Sequence, residues 1–268
     1  MQPALPRLKT ALCRTADSLV CPKNPQTNRN TGLIRLIAFA AMAVDHAGKM
    51  LFPQYPALRL IGRLAFPLFA YLIAVGAVYT RDPLRYLSRV VALALISQPL
   101  YALALDHETA AMYAVPFLSH PLQAMCSFYM GSWQKPSILL SLSLGLALLL
   151  CLRSRRFALA LGLYVLCERF AGSLDYGIHG IRLMLLFYAL CEHPLCSLAA
   201  TLSYLLLVWA KGFGYSFFGF TFGMQVYALP ALLFVHLPLR SRLKLPRVVA
   251  YGFYPAHLLV LALIVKLA

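Results

Sequence analysis

Long apolar runs separated by short polar breaks occupy the chain from residue 33 to its end. A helix that crosses a bilayer needs roughly 20 mostly apolar residues. The pattern predicts crossings at about 33–52, 58–79, 84–105, 137–152, 156–172, 178–191, 195–210, 223–239 and 248–267. A further run at 114–131 contains Pro116, His120, Pro121 and Gln123, poor choices for a lipid-facing span, and is read as a re-entrant or interfacial piece. The expected fold is therefore all-α, a polytopic transmembrane helix bundle of about nine spans. Residues 1–31 are polar, lack the apolar stretch of a secretory signal and predict a flexible basic cytoplasmic tail. Residues 32–268 form the transmembrane domain.

Composition agrees. Of 268 residues 61% are hydrophobic and only 12% charged, with a mean hydropathy of +0.74. A soluble domain carries roughly 25% charged residues. The net charge of +16 does not point to nucleic acid, because the basic residues sit between apolar runs rather than in a stripe on a soluble face. Arg7, Lys9, Arg14, Lys23 and Arg29 precede the first span; Arg81, Arg85 and Arg89 follow the second. Arg153, Arg155 and Arg156 lie between the fourth and fifth, and Arg240, Arg242, Lys244 and Arg247 between the last two. All four clusters fall on one side if 114–131 does not cross. The positive-inside rule then puts the N-terminus in the cytoplasm and the C-terminus outside. The seven cysteines show no C-x-x-C spacing and lie mostly in or beside apolar runs, which predicts buried thiols and neither a disulfide framework nor a metal site.

Ionisable groups inside these runs are costly and mark candidate chemistry. Asp45 and His46 sit just past the middle of the first span, and His257 near the middle of the last. Histidine is the natural general base near neutral pH, and a neighbouring carboxylate can orient it. Arg63 enters the second span from the outer side, after Gly62, which permits close helix approach, and before Pro67, which frees a backbone carbonyl. Its guanidinium could hold Asp45, an anionic substrate or an oxyanion. Asp175, Tyr176 and His179 lie at an outer turn, where Asp175 could equally be a helix N-cap. Gln98, beside Pro99 in the third span, could add a donor to a cavity. The aromatic-rich stretch 213–222, with Trp209 just before it, reads as an interfacial belt.

Four blocks occur in order: Val44-Asp45-His46; Gly62-Arg63-Leu64-Ala65-Phe66-Pro67-Leu68-Phe69-Ala70; Asp175-Tyr176-Gly177-Ile178-His179-Gly180; and Phe253-Tyr254-Pro255-Ala256-His257-Leu258. In these the chain resembles the TraX family over residues 33–268, with 106–136 as an expanded connection. The resemblance implies a multi-pass protein of the bacterial inner membrane. It also implies an acetyltransferase that moves an acetyl group from acetyl-CoA to an acceptor such as the N-terminus of a conjugative pilin. Asp45, His46, Arg63 and His257 are then expected to be catalytic, with His46 as base and Asp45 holding it. Asp175, Tyr176, His179 and Gln98 are expected at the acceptor, and Arg81, Arg85 and Arg89 at the CoA phosphates. The family is similar, at the level of fold analogy only, to membrane enzymes that O-acylate surface sugars. Membrane lipid and a periplasmic or membrane acceptor are the expected partners. Two other classes stay open. One is a proton-coupled transporter or channel with Asp45, His46 and His257 as a relay, although no repeat symmetry is evident. The other is a non-catalytic pilus or secretion assembly factor.

Overall fold

The computed structural model describes residues 17–23, 25, 31–217, 220–237, 239, 241 and 243–267. The helices in chain order are α1 (Thr31–Met50), α2 (Pro56–Gly62), α3 (Ala65–Tyr79), α4 (Pro83–Ala104), α5 (Pro121–Ser132), α6 (Ile138–Arg153), α7 (Phe157–Arg169), α8 (Gly177–Ala189), α9 (Pro194–Tyr204), α10 (Ala231–His236) and α11 (Arg247–Leu267). The all-α expectation holds, with one addition. Two short strands, β1 (Lys211–Phe217) and β2 (Phe220–Phe222), pair antiparallel, with Ser216 opposite Thr221. The side chains of 212–222 lie outside the described residues, and with them most of the expected aromatic belt.

The centre of the bundle is α3. It is apolar all round, as a helix surrounded by others must be, and Leu68, Ala70 and Ala77 are fully buried in it. It packs against α1, α6, α8 and α10, while α11 closes the bundle against α4 and α1. The break between α2 and α3 has a local cause. Pro67 has no N–H to offer the carbonyl of Arg63 and its ring crowds that carbonyl, so the ladder fails at Arg63-Leu64. In α4, Pro99 likewise frees the carbonyl of Leu95, which accepts a hydrogen bond from the Tyr129 hydroxyl (3.1 Å) and so ties α5 to α4.

Among the described residues, four helical segments are long and apolar enough to cross a membrane: Thr31–Met50, Pro56–Tyr79, Pro83–Ala104 and Val248–Leu267. The other expected spans coincide with shorter helices. The 16 residues of α6 and the 13 of α8 rise roughly 24 and 20 Å at 1.5 Å per residue, less than the roughly 30 Å of a hydrocarbon core. Helix length therefore supports four crossings, and the count of nine rests on hydropathy alone. Segment 114–131 contributes mainly the 12-residue α5, roughly 18 Å long and too short to cross.

The basic end of the bundle is tied down locally. Arg153 donates to the carbonyls of Ala77 (2.7 Å) and Thr80 (2.9 Å), capping α3. Part of the expected tail is docked there: Asp17 pairs with Arg155 (2.9 Å), and the Val20 carbonyl accepts from the Tyr188 hydroxyl (3.2 Å). Arg7, Lys9, Arg14 and Arg29 of the tail, and Arg240 and Arg242 of the last loop, lie outside the described residues. Cys21, Cys126, Cys151, Cys167, Cys191 and Cys196 are free thiols.

Candidate functional site

At the end of the bundle away from Arg153, the second half of α1 meets the α2–α3 break. Two glycines set this approach. A Cβ at Gly48 would press on Leu58, and one at Gly62 would overlap the Asp45 carboxylate. Asp45 is thereby clamped between two guanidiniums one helical turn apart. Arg59 Nε lies 3.1 Å and Arg63 Nη2 3.5 Å from the same oxygen, with the Arg63 and Asp45 side chains only 14% and 17% exposed. The Arg63 guanidinium also lies over the Tyr176 ring, 5.9 Å from its centroid.

His46 turns to another helix. Its Nδ1 lies 2.9 Å from Nε2 of His257 on α11, and the two rings are nearly parallel. The pair has one consistent proton arrangement when both rings are neutral. His257 Nδ1 lies 3.0 Å from the carbonyl of Phe253, which can only accept, so Nδ1 donates. His257 Nε2 then carries a lone pair and accepts from His46 Nδ1–H. His46 Nε2 is left as a lone pair, with no hydrogen-bond partner among the described residues. The residue that orients His46 is therefore His257, not Asp45 as the sequence suggests. Adjacent residues on a helix point about 100° apart, which sends Asp45 to the arginines and His46 to α11.

Asp45, His46, Arg59 and Arg63 line a cavity of about 200 Å³ with Lys49, Tyr101, His107, Asp175 and Tyr176. Lys49 Nζ donates to the Leu105 carbonyl (2.6 Å) and to His107 Nε2 (3.1 Å). Burial, and next the Lys49 ammonium, push His107 down to about 4, so it is a neutral acceptor at pH 7. Burial raises the Asp175 carboxyl above its ordinary range, with the Arg63 guanidinium opposing the rise. Three cations, Lys49, Arg59 and Arg63, thus outnumber the two carboxyls Asp45 and Asp175 around the cavity, which favours an anion or a developing negative charge there.

The expected site residues separate into two sets. Asp45, His46, Arg63, Asp175 and Tyr176 line the cavity, and His257 supports it through His46. The cap of α8 is Tyr176, in the left-handed region at φ +60°, so Asp175 is free to line the cavity. Its ring stacks on Phe66 at 4.3 Å. Burial also pushes the Tyr176 phenol up. His179 lies one aromatic layer behind: it bonds the Tyr204 hydroxyl (2.9 Å) and stacks on Trp209, which packs edge-on to Phe66 and Tyr176. Trp209 thus supports the site through these ring contacts. Gln98 is fully buried, but its amide is spent on the backbone. It donates to the carbonyls of Ser132 (2.6 Å) and Lys135 (3.0 Å) and accepts from Ser137 N–H (2.9 Å), fixing the loop between α5 and α6 outside the cavity. Arg81, Arg85 and Arg89 are exposed at the other end; Arg85 pairs with Asp82 (3.4 Å), and only Arg89 lines a cavity. Sequence reasoning misses Arg59, Lys49, Tyr101 and His107. For two of them a signal exists: Lys49 is four residues after Asp45, and Arg59 four before Arg63, each one turn along the same helix face.

A family model described as TraX protein matches residues 30–265. The chain is also similar to the "Probable fimbrial assembly protein FimC, serogroup H1" of Dichelobacter nodosus, 32% identical over 73 residues. That match covers 26% of this chain and 30% of the length of FimC. No solved structure matches.

Proposed function

We propose, for a chain that belongs to the TraX family, that this membrane protein transfers an acetyl group from acetyl-CoA to an amine or hydroxyl acceptor at the outer face of the bacterial inner membrane. The reading is carried by one observation: the His257–His46 hydrogen bond leaves His46 Nε2 as a held, unpaired base beside a cavity lined by three cations.

In this scheme the acceptor's N–H or O–H approaches His46 Nε2, which takes the proton as the acceptor's lone pair forms the new bond to the acyl carbon. His257 Nε2 accepts from the resulting imidazolium, the role a carboxylate plays in a Ser-His-Asp triad. Arg63, already half-engaged with Asp45, supplies a guanidinium to the acyl oxygen as negative charge develops there. Asp45 keeps the two arginines in place. The carbon–sulfur bond then breaks, and the thiolate leaves with the proton that His46 returns. Acetyl-CoA is cytosolic, so the basic end is assigned to the cytoplasm and the cavity end to the periplasmic side. A pilin whose processed N-terminus faces the periplasm fits as acceptor, and the likeness to a protein named for fimbrial assembly supports a pilus setting.

That same likeness favours a second reading, an assembly role without catalysis. Intact-mass analysis of a conjugative pilin co-expressed with wild-type protein or with His46→Ala separates the two. Transfer predicts an acetyl increment only with wild type. An unmodified pilin in both, with both proteins accumulating in the membrane, favours assembly.

A further inference from the structure

A second cavity, of about 290 Å³, opens near the basic end of the bundle between the first halves of α1, α4 and α11. Its composition is amphipathic. Arg35 on α1, Arg89 on α4 and the tyrosines Tyr86 and Tyr251 supply the polar part, and Leu72, Ile73 and Leu142 line the rest. Both arginines are without a carboxylate partner among the described residues; Arg89 lies over the Tyr251 ring, 5.8 Å from its centroid. Two unpaired guanidiniums at an apolar slot are the chemistry for a phosphate carried on a long, flexible chain.

The slot leads toward the base. Phe69 lines both this cavity and the polar one. It packs on Phe39, which stacks on Phe253 at 4.6 Å, and Phe253 stacks in turn on His257 at 5.3 Å. An aromatic partition therefore separates the two chambers, with the histidine pair against it. Arg35 and His46 share α1 and are roughly 16 Å apart along its axis, so a ligand anchored at Arg35 needs an extended arm to reach the partition.

We infer that the Arg35–Arg89 cavity binds a phosphate-bearing chain and, resting on the acetyltransfer reading above, that it seats the donor, with the phosphates at the two arginines and the arm running past Leu72 and Ile73 to Phe69. Arg81 and Arg85 are not part of this site. The same chemistry is offered by an anionic phospholipid, and the two sources separate experimentally.

The test is titration of the purified full chain in detergent with CoA, and separately with short-chain phosphatidylglycerol. Wild type is compared with Arg89→Ala and with Ala250→Phe, which fills the slot from its α11 wall. Because Arg89 is exposed, its loss leaves the fold intact, and elution and thermal midpoint verify both variants. The expected result is CoA binding weakened at least tenfold by Arg89→Ala and abolished by Ala250→Phe. Binding of phosphatidylglycerol alone, with the same sensitivity, keeps the phosphate site but makes a lipid its occupant. Binding of neither, or binding indifferent to both variants, overturns the site. Acetyl transfer measured on the same samples keeps the readings apart. Transfer with an unchanged KM for acetyl-CoA in both variants sinks the cavity alone, and CoA binding without any transfer sinks the enzyme reading alone.

Discussion

Asp45, His46, Arg63 and His257 are visible in the sequence for one reason: each is an ionisable group in a run that is otherwise apolar, where leaving it unpartnered would cost several kcal/mol. Their partners are less visible, because pairing depends on which face each residue takes and not on its type. His107 illustrates this. In the sequence it is one polar residue in a polar connection; in the fold it receives the Lys49 ammonium at 3.1 Å. Its folded-state value, about 4, lies below the ordinary 6.5. The stability it contributes is thus fully present above about 6.5 and is lost as pH falls toward 4. Below that, His107 is cationic and repels Lys49. Thermal unfolding in detergent should therefore show a fall in midpoint between pH 7 and 4 that is smaller in His107→Asn, whose side chain takes no proton. Equal falls in the two proteins would mean that His107 does not titrate in this way.

At the scale of elements, the site depends on how closely α1 and α2 approach. Gly62 was legible as a close-approach residue and Pro67 as a break, and both act as expected, because steric limits of this kind are local to the sequence. The partner of that approach was not legible, since nothing along the chain says that Gly62 faces Asp45. Gly62→Val must push α2 off the carboxylate, at a cost of about 1–3 kcal/mol for an overpacked contact. The lower thermal midpoint should be accompanied by a loss of acetyl transfer larger than destabilisation explains, since Arg59 and Arg63 move with α2. A variant as stable as wild type would show that the helices are not in contact there. The β1–β2 pair was hidden for another reason. The alternation of aromatic residues with Gly and Ser at 213–217 has the two-residue period of a strand, but composition alone reads it as a membrane-interface belt.

The whole molecule is a bundle built around α3, with a chamber near each end and an aromatic partition between them. Hydropathy gave the class and most of the helix positions. The number of crossings was harder to read, because apolar runs report burial in lipid and burial in protein alike, and α6 and α8 are apolar yet short. Separation of the chambers would let one protein take a donor from one side of the membrane and an acceptor from the other while its base stays between them. In the proposed mechanism that division of labour rests on the histidine pair. The most direct test is acetyl transfer from labelled acetyl-CoA to a pilin N-terminal peptide by the purified protein, compared with His46→Ala and His257→Ala. Loss of the general base should lower kcat by about 10²–10⁴-fold. Loss of His257, which only orients that base, should lower kcat by a large part of the same factor and leave the KM values nearly unchanged. Transfer at wild-type rates by His46→Ala would contradict the assignment of His46 as the base.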